Sequence, residues 1–360
     1  MNNKNRIEKL VNSIKQKDID GIFLQKDANV RYISGFTNSD SYLLLTCDNK
    51  VIITDSRYIE QAEKECPDFQ VIRWRNPYPS LQETILDLCK KWGIKRLGFE
   101  ANVMNYDLYT KFKDKLTEIE LVPTVGIVEE IRKIKDEEEI SLIRETCKIS
   151  DKSFEELLGY IKPGISEKDI EREFQYIMKK NGADDKAFDI IGISGVRTSL
   201  PHGIPSDKLI EMGDFITLDF GAQVQGYKCD MTRTICVGKA SDEQKKIYKI
   251  VEEAQKRGVE AVKAGALGKL VDKAARDVIE EAGYSEYFGT GLGHGVGLEI
   301  HELPFMSTTC EEHLEAGNVL TVEPGIYIPS WGGVRIEDTV LVTETGREVL
   351  TITTKELIEL

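Results

Sequence analysis

The chain has 360 residues, 41% hydrophobic and 31% charged, which is a globular composition in a length that predicts two domains rather than one core. A net charge of −14 with no long basic run excludes nucleic acid or an anionic membrane surface as the main partner. No stretch approaches the roughly 20 apolar residues of a membrane span, and the first residues lack an apolar signal core, so a soluble, cytoplasmic protein is expected.

Residues 6 to about 125 alternate helical and extended patterns. Ile7, Leu10, Val11 and Ile14 predict an amphipathic helix, while Gly21-Ile22-Phe23-Leu24, Tyr42-Leu43-Leu44-Leu45 and Val51-Ile52-Ile53-Thr54 predict strands. This is an α/β pattern. From Arg132 to Glu139 the chain becomes strongly charged, and Asp136 with Glu139 fits a helix N-cap and an acid at the third helical position. The domain boundary is therefore expected just before it, giving domains 1–130 and 131–360. Seven cysteines, never spaced Cys-x-x-Cys, indicate reduced and mostly buried thiols rather than a disulfide framework or a thiolate zinc site.

The second domain contains an internal repeat. Gly213 to Gly221 matches Gly317 to Gly325 at an offset of 104 residues, with Asp219 falling on Glu323. Upstream, Ile161-Lys162-Pro163-Gly164 resembles Val262-Lys263-Ala264-Gly265, and His202 and His301 lie 99 apart. Two copies of a helix-helix-strands unit, about 136–240 and 241–345, are implied. A solenoid needs at least three units, so pairing about a pseudo-twofold axis is expected, with a shared site on that axis.

Five residues stand out in this repeat: Asp219, Asp230, His294, Glu323 and Glu337. Carboxylates embedded in apolar strand-like runs need a partner. Asp219 and Asp230 flank Gly221 and Gly226, and Glu323 and Glu337 flank Gly325, Gly332 and Gly333, as two hairpins require. Four carboxylates and one imidazole balance two divalent cations. Without metal, like charges so close raise the pKa of at least one acid. Oxygen-rich ligation with one imidazole favours Mn first, with Co, Fe or Zn possible, over Ca or Mg. Paired metals polarise a carbonyl and acidify a water, so hydrolysis is the reaction class indicated. Asp-x-Gly and Glu-Pro-Gly are common turn sequences, but their joint occurrence on a repeat argues against a purely structural role. The run Gly291-x-Gly293-x-Gly295-x-Gly297 lacks the nucleotide-loop spacing, so these glycines are read as allowing close backbone approach. Of the four histidines, only His313 reads as a surface bystander.

At these residues the chain resembles the pita-bread metallopeptidases, in the proline-directed branch of aminopeptidase P and prolidase. The resemblance spans nearly the whole chain. Tyr32-Ile33-Ser34-Gly35-Phe36 and Thr54-Asp55-Ser56-Arg57-Tyr58 are similar to the creatinase-type N-terminal domain. The fold implied is α+β: a creatinase-like α/β domain followed by a pseudo-twofold pita-bread catalytic domain. The resemblance further implies a dinuclear centre, with Asp219 on one metal, Asp230 and Glu337 bridging, and His294 and Glu323 on the other. Glu323 looks like the general base. His202 and His301 look like the pair that binds the scissile carbonyl and the proline side, and Arg335 like a site-orienting cation. A homodimer is expected from the family, with Asn38-Ser39-Asp40 a candidate to reach the neighbouring site.

Two departures bear on substrate length. Thr290 stands where many relatives carry a second histidine, and Phe305 where some prolidases carry a carboxylate-pairing arginine. An apolar ring cannot replace that fork. The reading is therefore cleavage between an N-terminal residue and a following proline in peptides longer than two residues. The alternatives are an Xaa-Pro dipeptidase and, in another class, a catalytically silent peptide-binding protein on the same fold.

Overall fold

The computed structural model describes residues 3–360, which fall into two compact units, one ending at Arg132 and the other Lys133–Leu360. The first is built on a six-stranded mixed sheet. Its strands run in the order Gln70–Arg73, Lys50–Thr54, Tyr42–Thr46, Gly21–Leu24, Arg96–Glu100 and Glu120–Thr124. The central strand, Gly21–Leu24, is buried along its whole length, which explains its unbroken apolar run. It pairs antiparallel with Tyr42–Thr46 and parallel with Arg96–Glu100. The opening helix, Asn3–Gln16, buries Leu10 and Ile14 as its spacing requires.

The second unit repeats one plan twice. Its first half has helices Glu137–Leu158 and Glu167–Lys180, then strands Phe215–Phe220 and Met231–Cys236. Its second half has helices Asp242–Ala261 and Gly268–Glu281, then strands Val319–Val322 and Asp338–Thr343. Each strand pair is antiparallel. Three of the four helices start on capping boxes, at Asp136 with Glu139, Ser166 with Asp169, and Ser241 with Gln244. Each half has its own apolar cluster, one around Phe154, Phe174 and Phe220, the other around Tyr248, Val251 and Val322.

Within each strand pair the chain makes a smaller hairpin. In the first half Ala222–Val224 pairs with Tyr227–Lys228 through Gln225 and Gly226, both at positive φ (46° and 79°), the two-residue turn that matches strand twist. In the second half Gly325–Ile328 pairs with Gly332–Arg335. These inner hairpins set where the outer strands begin and end, and the acids lie at those junctions.

Candidate metal centre

Asp219 lies in Phe215–Phe220, a strand buried at all six positions and flanked on both sides by strands Ile191–Ser194 and Met231–Cys236. Asp230 directly precedes Met231–Cys236, Glu323 directly follows Val319–Val322, and Glu337 directly precedes Asp338–Thr343. His294 is the middle residue of Gly293–Gly295. Its two glycines are required by space. A Cβ at Gly293 would lie 2.1 Å from the Thr321 carbonyl oxygen, and one at Gly295 2.2 Å from that of Leu303. The close approach expected of these glycines is thus to neighbouring backbone.

All five residues converge. His294 Nε2 lies 3.2 Å from Glu323 Oε1 and 3.7 Å from Asp230 Oδ2. Asp230, His294 and Glu337 each offer a ligand atom within 4.8 Å of the others. His294 Nδ1 is 3.1 Å from the Gly295 carbonyl oxygen. A carbonyl only accepts, so Nδ1 carries a proton and Nε2 is the nitrogen that faces the acids. Burial lowers the His294 pKa, but the hydrogen bond and charge of Glu323 outweigh it and raise it, favouring a second proton on Nε2 while no cation is bound. Arg335 places Nη2 2.6 Å from Asp219 Oδ2, and its other nitrogens donate to Thr232 Oγ1, the Pro201 carbonyl and the Tyr327 hydroxyl.

The two halves hold each other's acids in place reciprocally. Thr232, two residues after Asp230, donates its hydroxyl to Glu337 Oε2 at 2.6 Å. Thr339, two residues after Glu337, accepts from the Asp230 amide and donates to the Asp230 carbonyl.

Charge is unbalanced in the protein alone. Burial, then the neighbouring Glu337, Asp219 and Glu323, push the Asp230 carboxyl well above the usual range. Burial, with Glu323 and Asp219, does the same to Glu337. Burial also pushes Glu323 up, but hydrogen bonding and charge from His294, with Arg335, outweigh it and hold Glu323 below its ordinary value. Asp219 Oδ1, Asp230 Oδ1 and Glu337 Oε1 are buried without a hydrogen-bond partner. Three orphaned carboxylate oxygens beside an imidazole nitrogen suit divalent cations, which would replace the protons that Asp230, Glu337 and His294 otherwise hold.

The centre opens into a cavity of about 390 Å³ whose lining includes His202, His301, Thr290 and Phe305. His301 stacks edge-on against His294, ring centroids 4.4 Å apart. Burial, then the His294 charge, lowers its pKa, so it is neutral at neutral pH. All eight residues singled out in the sequence therefore meet at one place. Tyr327, Thr232 and Thr339 were not among them. Tyr327 packs under Gly325, where a Cβ would lie 2.5 Å from its hydroxyl. The only signal for it in the sequence is its place in the short Gly325–Ile328 strand after Glu-Pro-Gly.

The chain belongs to metallopeptidase family M24, whose model matches residues 141–344, and residues 6–134 match the creatinase/prolidase N-terminal domain. Its architecture is accordingly the creatinase-type domain followed by the pita-bread catalytic domain. It is similar to an Xaa-Pro dipeptidase of Pyrococcus furiosus, 42% identical over 99% of this chain and 100% of that protein. Among solved structures it is similar to an Xaa-Pro dipeptidase from Bacillus anthracis, with TM-score 0.96, 45% identity and full coverage of both chains. It is also similar to an X-Pro aminopeptidase from Thermotoga maritima, with TM-score 0.92 and 38% identity over 98% of this chain and 99% of the other.

Proposed function

We propose that the chain is an Xaa-Pro dipeptidase, hydrolysing the bond between a residue and a C-terminal proline. The observation that carries this is the set of orphaned buried carboxylate oxygens around His294, facing a cavity lined by His202 and His301. The aminopeptidase reading, favoured in the sequence by Phe305, gives way to the dipeptide. Relatives at 42% and 45% identity are named for that activity, against 38% for the aminopeptidase. Intact ligand residues speak against a silent binding protein.

Asp219, Asp230, His294, Glu323 and Glu337 would hold two divalent ions, manganese first. When bound, the ions supply polarisation of the scissile carbonyl and acidification of the attacking water. Glu323, ionised at neutral pH, accepts a proton from that water. His202 and His301 hydrogen-bond the carbonyl and the proline side. Arg335 fixes Asp219 and Tyr327 and does not touch the substrate. Because proline has no N–H and a fixed φ, its pocket recognises shape rather than a donor. A cytoplasmic homodimer is part of this reading; among the described residues no helix is long and apolar enough to cross a membrane.

The test is metal content together with turnover of Ala-Pro and Ala-Pro-Ala. Bound divalent metal with cleavage of Ala-Pro alone is expected. Cleavage of the tripeptide alone would restore the aminopeptidase, and an inert metal-free protein would sink the enzyme.

A further inference from the structure

A dipeptide ends in a carboxylate one residue beyond the scissile bond, and a site specific for dipeptides needs a cation there. The cavity lining contains one arginine, Arg335, and all its nitrogens are occupied by Thr232, Pro201, Tyr327 and Asp219. Phe305, 49% exposed at the same cavity, offers only an apolar face. The carboxylate reader must lie elsewhere.

His202 sits on a loop, residues 194–206, that leaves the strand Ile191–Ser194 and returns to the same point. Both ends of this loop are tied to one side chain. Glu167, the first residue of the helix Glu167–Lys180, is fully buried and accepts from Ser194 N at 2.8 Å, Ser194 Oγ at 3.1 Å, Ser206 N at 2.9 Å and Ser206 Oγ at 2.7 Å. Its remaining partner is Arg197, whose Nε lies 3.2 Å and 3.1 Å from the two carboxylate oxygens. Arg197 Nη2 donates to the Ile204 carbonyl at 2.6 Å. A buried charge so fully satisfied is a rigid anchor. It holds the guanidinium in one orientation and leaves Nη1 without a protein partner among the described residues.

Arg197 also lines a second, more open hollow of about 560 Å³, with Leu200 and Ile204. Pro201, His202 and Thr290 line both this hollow and the cavity of the metal centre, so the two adjoin at the His202 loop. Arg197 and His202 thus line one hollow beside the metal centre, which puts a guanidinium within the space next to where a proline against His202 would end. We propose that Arg197, held by Glu167, binds the C-terminal carboxylate of the dipeptide through Nη1 and thereby sets substrate length. The proposal rests on the dipeptidase reading. Because Glu167 neutralises the guanidinium, the contribution is one directed, charge-assisted hydrogen bond, of the order of 10- to 100-fold in affinity.

The test compares Ala-Pro with Ala-Pro-amide on the metal-loaded full chain. Wild type is expected to prefer the acid. Arg197→Met removes a partner of the loop anchor as well as the carboxylate contact, so it is expected to slow both substrates but to raise KM for Ala-Pro roughly 10- to 100-fold more than for the amide, so that the preference collapses. Arg197→Lys, whose ammonium stays paired with Glu167, is expected to lose the preference with the fold intact. Glu167→Gln slackens the loop for both substrates alike and is expected to slow both by one factor, which separates recognition from positioning. An unchanged acid-to-amide ratio in both arginine variants overturns the proposal. Calorimetric binding of L-proline against L-prolinamide makes the same comparison without turnover: excess affinity for proline that survives in Arg197→Lys overturns it, and excess affinity that disappears supports it. Absence of Ala-Pro cleavage by wild type counts against the dipeptidase reading and leaves that binding result standing on its own.

Discussion

Glu323 meets two demands, as a ligand beside His294 and as the proton acceptor. Its Oε1 is shared between His294 Nε2 at 3.2 Å and the Thr321 hydroxyl at 3.0 Å, and its carboxyl is held below its usual pKa despite burial. Glu323→Gln keeps the volume and the Thr321 contact but removes the basic oxygen. Turnover is expected to fall by roughly 10²–10⁴ with little change in Tm, read by steady-state kinetics at saturating metal beside thermal denaturation. Near-normal kcat would reject Glu323 as the base. His202 is different, being exposed at the cavity and outside the acid cluster. His202→Ala is expected to cost on the order of 10²–10³ in kcat with metal content unchanged, and metal analysis of the same preparation checks the second half of that statement. At this scale the sequence was most legible where a residue was out of place for its surroundings. An aspartate inside Ile-Thr-Leu-Asp-Phe demands a reason from its type alone. Thr232, Thr339 and Tyr327 do not, because threonine and tyrosine belong in strands. They acquire their role only from register, which puts Thr232 opposite Asp219 and Tyr327 opposite Gly333.

Among the elements, the outer strand pairs were readable from the repeat, and so was the helix cap at Asp136. The inner hairpins were not. A gap with glycines between Asp219 and Asp230 reads as one turn, whereas the chain inserts a second hairpin with its own turn at Gln225 and Gly226. That insertion lets the acids sit at strand ends while the strands themselves stay buried. The reciprocal threonine contacts likewise depend on the halves facing each other, which no local pattern encodes. The most demanding element is the short strand carrying His294, pressed between Glu302–Met306 and Val319–Val322. Gly293→Ala would drive a methyl into the Thr321 carbonyl, 2.1 Å away, and backbone cannot rotate aside as a side chain can. It is expected to destabilise the second unit by at least ~1–3 kcal/mol and to lower metal affinity, because Thr321 hydrogen-bonds both the His294 amide and Glu323. Urea unfolding with and without metal measures both effects. A Gly289→Ala control, where an added Cβ meets nothing within 4 Å, is expected to stay near wild type.

For the whole molecule, the sequence gives a net charge of −14, and four of its acids crowd into one centre. Their number suggested metals before any geometry was known, but only the fold decides which acids take up protons when metal is absent. Asp230 and Glu337 have pKa values raised well above the carboxyl range in the folded, metal-free protein, by burial first and by neighbouring acids second. In the unfolded chain both return to ordinary values near ~4. Between the ordinary and the raised values, the folded state therefore binds protons that the unfolded state has released. Stability of the metal-free protein must then fall as pH rises through that window, and it is greatest at the acid end. Metals remove this dependence by taking the place of the protons, and their binding adds stability that grows as fewer protons compete. Thermal unfolding of chelator-treated and metal-loaded protein at several values from about pH 5 to about pH 8 tests this. The difference in Tm, loaded minus metal-free, is expected to widen with pH. Taking the difference cancels groups remote from the centre, which titrate alike in both forms. A gap that is constant or narrows as pH rises would mean that Asp230 and Glu337 are ionised without metal, and that something other than divalent cations balances this centre.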